Sequence, residues 1–170
     1  MVIIDQLTKP RFDEFYKLFE DIMKEGYSNF SPALIEYFLK NDYSKMTFQF
    51  WLERNFRRFT LAIEDNRIIG FLIGDHTYGG VGFISWVGVI PEYRGKGIGN
   101  QLLKDYEAFA ISRKAHLLEL FTYDKVIGFY LVNGFKEIGR REMGFYGQTN
   151  VIMNKVLGKW DDSLLVKQEI

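Results

Sequence analysis

Glycine occupies alternate positions from 95 to 99 in the run Arg94-Gly95-Lys96-Gly97-Ile98-Gly99, and the segments on either side differ in periodicity. Upstream, residues 81–90 are apolar apart from Ser85, run up to Pro91 and read as a long strand. Downstream, Leu102, Leu103, Tyr106, Phe109 and Ala110 recur at helical spacing. A strand, a glycine loop and a helix in succession form a βα unit, which restricts the chain to folds where a helix packs back on a sheet. Alternate glycines let backbone N–H groups converge without side chains between them. The helix start contributes unpaired N–H groups and the positive end of its dipole, and Arg94 and Lys96 add charge. A diphosphate suits such a loop, although the loop alone is equally compatible with a plain tight turn. Its G-x-G-x-G spacing matches neither the dinucleotide pattern G-x-G-x-x-G nor the Walker pattern.

The surrounding pattern sets the fold class. Residues 2–7 read as a first strand, and Thr8-Lys9-Pro10 as a helix start with Thr8 as N-cap. Phe12, Phe15, Tyr16, Phe19, Ile22 and Met23 then form one apolar stripe, ended by Gly26. Ser31-Pro32 starts a second helix, and a third is expected over 47–57. Strands follow at 59–64 and 67–77 around the turn pair Asp65-Asn66, and Tyr78-Gly79-Gly80 turns the chain into the strand at 81–90. After the glycine loop come a helix over 98–114, a strand over 117–122, a helix over 125–132 with Asp124 as its N-cap, and strands over 135–145 and 150–157. An antiparallel meander followed by a βαβα unit predicts an α+β fold. Its central sheet is mixed but mostly antiparallel, flanked by helices, with strands splayed around the glycine loop. At 170 residues the chain suits one domain, assigned to 1–157, with 158–170 as a C-terminal tail.

Composition narrows the function classes. Twenty-two basic and twenty-two acidic side chains cancel, so no global field draws in nucleic acid or an anionic membrane. There is no cysteine, which removes disulfides, Cys-ligated metal and a cysteine nucleophile. Two histidines forty residues apart, at 76 and 116, give no metal-binding pattern, and no metal is expected. No apolar run reaches the length of a bilayer span and the first residues lack signal-peptide character, so a cytoplasmic protein is expected.

Two blocks together carry a family resemblance. Arg94-x-x-Gly97-x-Gly99, preceded by Val89-x-Pro91-x-Tyr93 and followed by Leu102-Leu103, resembles the R/Q-x-x-G-x-G/A signature of the GNAT superfamily of acetyl-CoA-dependent N-acetyltransferases. Phe129-Tyr130-Leu131-Val132-Asn133-Gly134-Phe135 is similar to that family's F-Y-x-x-x-G-F segment at the expected downstream distance. The resemblance runs from about 59 to 157 in element order and is specific in these two blocks.

The resemblance implies an acetyltransferase that moves the acetyl group of acetyl-CoA to a primary amine of a small molecule or peptide, by direct attack in a ternary complex. The amides of Arg94, Gly95, Lys96, Gly97, Ile98 and Gly99 would hold the CoA pyrophosphate. Asn100 would add a side-chain hydrogen bond, and Phe129 lies in the second CoA-associated block. Backbone groups of Val87 and Val89 would pair with the pantetheine arm as an added strand, with Gly88 easing a bulge. Tyr130 is the implied acid for the leaving thiolate.

The family's carboxylate on the strand before the loop is absent from Phe83-Ile84-Ser85-Trp86, which leaves Asp75, His76, Glu119 or a water chain as base. Where the family commonly has an Asn seven residues before the tyrosine, this chain has Tyr123. These departures keep open a non-catalytic module that binds CoA or acyl-CoA. Residues 59–157 would form the CoA-binding core and 1–58 the acceptor side, where Tyr27, Phe30, Tyr37, Tyr43, Phe48 and Trp51 offer an aromatic lining or simply core. Strand edges and the tail from Trp160 to Ile170 offer surfaces for a homodimer. The identity of the acceptor, and whether longer acyl groups are used, stay open.

Overall fold

The computed structural model describes residues 1–26, 30–75 and 77–162. Its strands are β1 (Ile3–Gln6), β2 (Arg57–Glu64), β3 (Arg67–Asp75), β4 (Val81–Val89), β5 (Leu117–Thr122), β6 (Lys136–Arg141) and β7 (Asn150–Val156). They follow the sheet order β1-β2-β3-β4-β5-β7-β6. The pairs β1–β2, β2–β3, β5–β7 and β6–β7 are antiparallel, and β4–β5 is parallel. The helices are α1 (Phe12–Gly26), α2 (Pro32–Lys40), α3 (Lys45–Glu53), α4 (Ile98–Ser112) and α5 (Ile127–Val132). This is the α+β class that the sequence pattern predicts. The chain divides into two compact units: Met1–Asp75 with Trp86–Tyr106, and His76–Ser85 with Glu107–Ile170.

In the first unit, the stripe on α1 makes an aromatic core. Phe15 lies edge-on to Phe59 of β2 and Phe71 of β3 at 5.5 and 5.6 Å, and Phe19 meets Phe48 of α3 at 4.7 Å. Phe15, Phe19 and Phe48 are fully buried, each contributing roughly 1.5–3 kcal/mol. Ser31 and Ser44 cap α2 and α3, accepting from the N–H groups of Leu34 and Thr47 at 3.2 Å each. Thr8 makes no such bond; a 3-10 turn at Lys9–Arg11 leads into α1 instead. The third helix ends at Glu53, short of the expected 57, because Asn55 turns left-handed (φ 54°) and Arg57 already pairs with β3. Asp65 and Asn66 are both left-handed, the conformation of a tight hairpin turn.

Two glycines bring α4 and α1 close to the sheet. A Cβ on Gly74 would fall inside the Tyr106 ring of α4, whose hydroxyl donates to the Asp75 carbonyl at 2.8 Å. Gly88 makes room for the Phe71 ring, 2.7 Å from where its Cβ would stand.

In the second unit, β4 pairs with β5 from Val81↔Leu117 to Ile84↔Leu120. That register stops there, although β4 continues to Val89 and β5 to Thr122. Asp124 does not cap a helix. It begins a 3-10 turn ahead of α5, and its carboxylate pairs with Arg140 at 2.8 Å. β6 stops at Arg141 instead of 145, and residues 142–149 form a loop containing a 3-10 turn at Phe145–Gly147. Past β7, Trp160 packs edge-on against His116 at 5.5 Å. The rest of the tail, residues 163–170, lies outside the described residues, as do Tyr27 and His76.

Candidate functional site

The glycine loop leaves the end of β4 through a 3-10 turn at Pro91–Tyr93 and enters α4 at Ile98. Gly95 and Gly97 take φ values of +74° and +81°, a region that L residues rarely adopt. A Cβ on either would meet nothing within 4 Å, so backbone conformation rather than crowding calls for glycine there. Residues 94–97 are exposed, while Ile98, Leu102, Leu103 and Tyr106 are buried. The loop therefore stands open on a firmly seated helix. The first intrahelical bond runs from the Gln101 N–H to the Gly97 carbonyl at 3.1 Å, so the first-turn N–H groups have no intrahelical acceptor. Open left-handed glycines ahead of such a turn form an anion cradle.

Charge around the loop is arranged by contacts that the sequence did not reveal. Arg94 Nε donates to the Val89 carbonyl at 2.9 Å, tying the loop to the strand before it. The Lys96 ammonium lies 5.0 Å from the centre of the Tyr93 ring. Tyr93 is hydrogen-bonded to Glu64, which raises the phenol above its ordinary pKa and lowers that of the carboxylate. Tyr93 lies inside the recognised motif, but its partner Glu64 sits at the far end of β2, where no spacing rule points.

The Ile90 N–H donates to the Ile69 carbonyl of β3 at 3.0 Å. By the two-residue period of a strand, Val87 and Val89 then direct their backbone groups away from β3. Asn100 is exposed in the first turn of α4.

In the second unit, Tyr130 is only 9% exposed and packs edge-on with Phe129 at 5.0 Å and with Phe135 at 5.7 Å. Burial raises its phenol well above the ordinary 10.0. Burial favours the neutral phenol and makes it a weaker acid, and the same packing makes Tyr130 a core residue. The Asn133 side chain donates to the Phe129 carbonyl at 2.8 Å and helps close α5.

Of the three expected base candidates, Asp75 forms an ion pair with Arg57, His76 lies outside the described residues, and Glu119 is half-buried on β5 opposite Phe83 and Asn154. The aromatics expected to line an acceptor pocket divide. Phe30 and Phe48 are core, Tyr37 is exposed, and Tyr43 and Trp51 are half-buried in a ring cluster with Trp86. A cleft of about 630 Å³ opens among α1, α2 and the start of α3, lined by Tyr16, Lys17, Lys40 and Lys45 among others. Those lysines pair with Asp21, Glu36 and Asp13, and the cleft includes no residue of the glycine loop.

The sequence profile of the Acetyltransferase (GNAT) family matches residues 13–135, a span that includes both the glycine loop and Tyr130. The chain belongs to the GNAT acetyltransferase family. Solved structures share its fold. PaiA N-acetyltransferase from Thermoplasma acidophilum, in complex with coenzyme A, superposes with a TM-score of 0.79 at 22% identity, covering 92% of this chain and 99% of that one. Ribosomal-protein-alanine N-acetyltransferase from Brucella melitensis gives 0.72 at 19%, covering 91% and 99%. The ribosomal-protein-S18-alanine N-acetyltransferase from Escherichia coli gives 0.70 at 17%, covering 95% and 97%. At 17–22% identity these likenesses bear on fold alone. No curated protein matches the chain. Among the described residues no group of three or more His, Asp or Glu side chains is placed to hold a metal, and no helix is long and apolar enough to cross a membrane.

Proposed function

We propose that this GNAT acetyltransferase uses acetyl-CoA as donor and acetylates a primary amine of a small molecule or peptide by direct attack. The observation that carries the reading is the open pair of left-handed glycines, Gly95 and Gly97, at the start of α4. In this reading the amides from Arg94 to Gly99 hold the pyrophosphate, with Lys96 free to leave the Tyr93 ring for a phosphate oxygen. Val87 and Val89 offer backbone partners to the pantetheine amides, and Asn100 and Phe129 contribute the remaining CoA contacts. Acetyl-CoA supplies a thioester. The amine nitrogen forms the new C–N bond, the C–S bond breaks, and the proton shed by nitrogen is balanced by the one the thiolate gains, which Tyr130 is protonated to supply.

A neutral amine is required, and aliphatic amines ionise near 10. With Asp75 bound to Arg57, the base role falls to His76, Glu119 or water. The test couples binding to turnover. Acetyl-CoA should raise the Tm where NAD and ATP do not, and release of free thiol should depend on added amine. Stabilisation by NAD or ATP instead of CoA would sink the donor assignment. CoA binding without amine-dependent thiol release across several amine classes would leave a CoA-binding module in its place.

A further inference from the structure

Arg141 ends β6 opposite Asn150, and its guanidinium lies 5.1 Å from the Phe121 ring and 5.5 Å from the Phe145 ring. Among the described residues no carboxylate lies within ion-pair distance of it. Its neighbour Arg140 differs sharply, because that side chain is taken up by Glu137 and Asp124 at 2.8 Å each. Adjacent strand residues point to opposite faces, so one arginine braces the edge strand while the other stands on the aromatic face. The two rings meet each other edge-on at 5.4 Å, so the guanidinium rests against both without being sandwiched, and on this exposed side chain it can grip a carboxylate through two parallel bonds.

The loop that supplies Phe145 is held in a costly conformation. Met143 and Tyr146 are left-handed at φ 49° and 54° although neither is glycine, and Gly147 follows at 72°. The Asn150 side chain, only 1% exposed, accepts from the Phe145 N–H at 2.9 Å, and the Gly144 N–H donates to the Gln148 carbonyl at 2.9 Å. The loop thus presents Phe145 and Tyr146 half-exposed. Glu119 points to the same face of β5 two residues before Phe121, roughly 6.5 Å along the strand. One face therefore offers a cationic fork and, nearby, a carboxylate.

We propose that Arg141, resting against Phe121 and Phe145, anchors the carboxylate of the acceptor, so that the acceptor is an amine that also carries a carboxylate: an amino acid or a peptide with its free C-terminus. This assignment rests on the N-acetyltransferase reading for its role in catalysis, but the anchor itself is a binding site that titration can detect without turnover.

Two measurements test it. Wild type and Arg141→Gln are assayed by thiol release with matched acceptors, L-lysine against L-lysinamide and a tripeptide with free against amidated C-terminus. In wild type the free carboxylate should raise kcat/KM by about tenfold, and in Arg141→Gln that ratio should fall to about one. The pair that shows the preference separates amino acid from peptide. Equal rates on both members in wild type, or an unchanged ratio in the variant, overturns the anchor. Independently, the Arg141 Nε–H resonance, assigned by its absence from Arg141→Gln, is followed while N-acetylglycinate or N-acetylglycinamide is added. A shift with the carboxylate and none with the amide supports the anchor even where no amine is turned over, an outcome that would count against the transferase reading alone. No shift, or the same shift with both, refutes the anchor.

Discussion

Replacing Gly97 with alanine separates the two things this glycine does. At φ +81° with nothing within 4 Å of an added Cβ, alanine meets no clash, and its cost is backbone strain of about 1–2 kcal/mol. For a chain of this size that lowers Tm by roughly 2–8 °C. The new methyl would also stand on the open side of the loop, where a diphosphate must approach the amides. A tenfold weaker CoA affinity is expected, equivalent to about 1.4 kcal/mol.

The same strain can be applied where no ligand is expected. Gly79, in the β3–β4 turn, has φ +57° and an equally empty surrounding, so Gly79→Ala is the matched control. Thermal unfolding is recorded for both variants with and without acetyl-CoA at about 100 times the wild-type Kd. That concentration stabilises wild type by about 2.7 kcal/mol, and a tenfold loss of affinity cuts the gain to about 1.4 kcal/mol. Gly97→Ala should show the halved ligand shift and Gly79→Ala the full one, on similar starting losses. A full ligand shift in Gly97→Ala, or a halved shift in both variants, would refute the pyrophosphate role of the loop.

Tyr130→Phe should lower kcat by about 10²-fold with little change in the KM for acetyl-CoA; an unchanged kcat removes the phenol from the mechanism. The same variant carries a pH prediction. Because the folded-state pKa is raised, Tyr130 contributes stability that is complete below pH 10.0 and is lost as pH rises beyond it, at up to about 1.4 kcal/mol per pH unit. Urea titrations between pH 9 and 11 should therefore show a shallower alkaline decline in Tyr130→Phe than in wild type, and parallel declines would contradict the burial of the phenol. Gly74→Ala, which drives a methyl into the fully buried Tyr106 ring, should cost about 1–3 kcal/mol in the same assay, and a neutral result would mean that α4 shifts freely over β3.

Much of the fold was legible in the order of residues. The α1 stripe from Phe12 to Met23, the Asp65-Asn66 turn and the strand–glycine–helix unit each depend on neighbours close in sequence, through periodicity and backbone conformation. The same local physics made the Arg94 to Gly99 loop recognisable, because left-handed glycines ahead of a helix are a property of a few consecutive residues. Endings were less legible. α3 stopped early because Arg57 was claimed by strand pairing with Asp75, and Asp124 left its expected cap for Arg140, sixteen residues on.

What tertiary structure alone decided were the pairings between distant segments. Asp75 is paired with Arg57, eighteen residues away, and Tyr93 with Glu64 at the end of β2. Arg140 and Arg141 are adjacent and chemically identical, and only the alternation of β6 and the return of the 142–149 loop send one to two carboxylates and the other to two aromatic rings. The glycine loop was written in local backbone geometry, whereas the Arg141 cluster depends on which side chains the folded sheet brings onto one face.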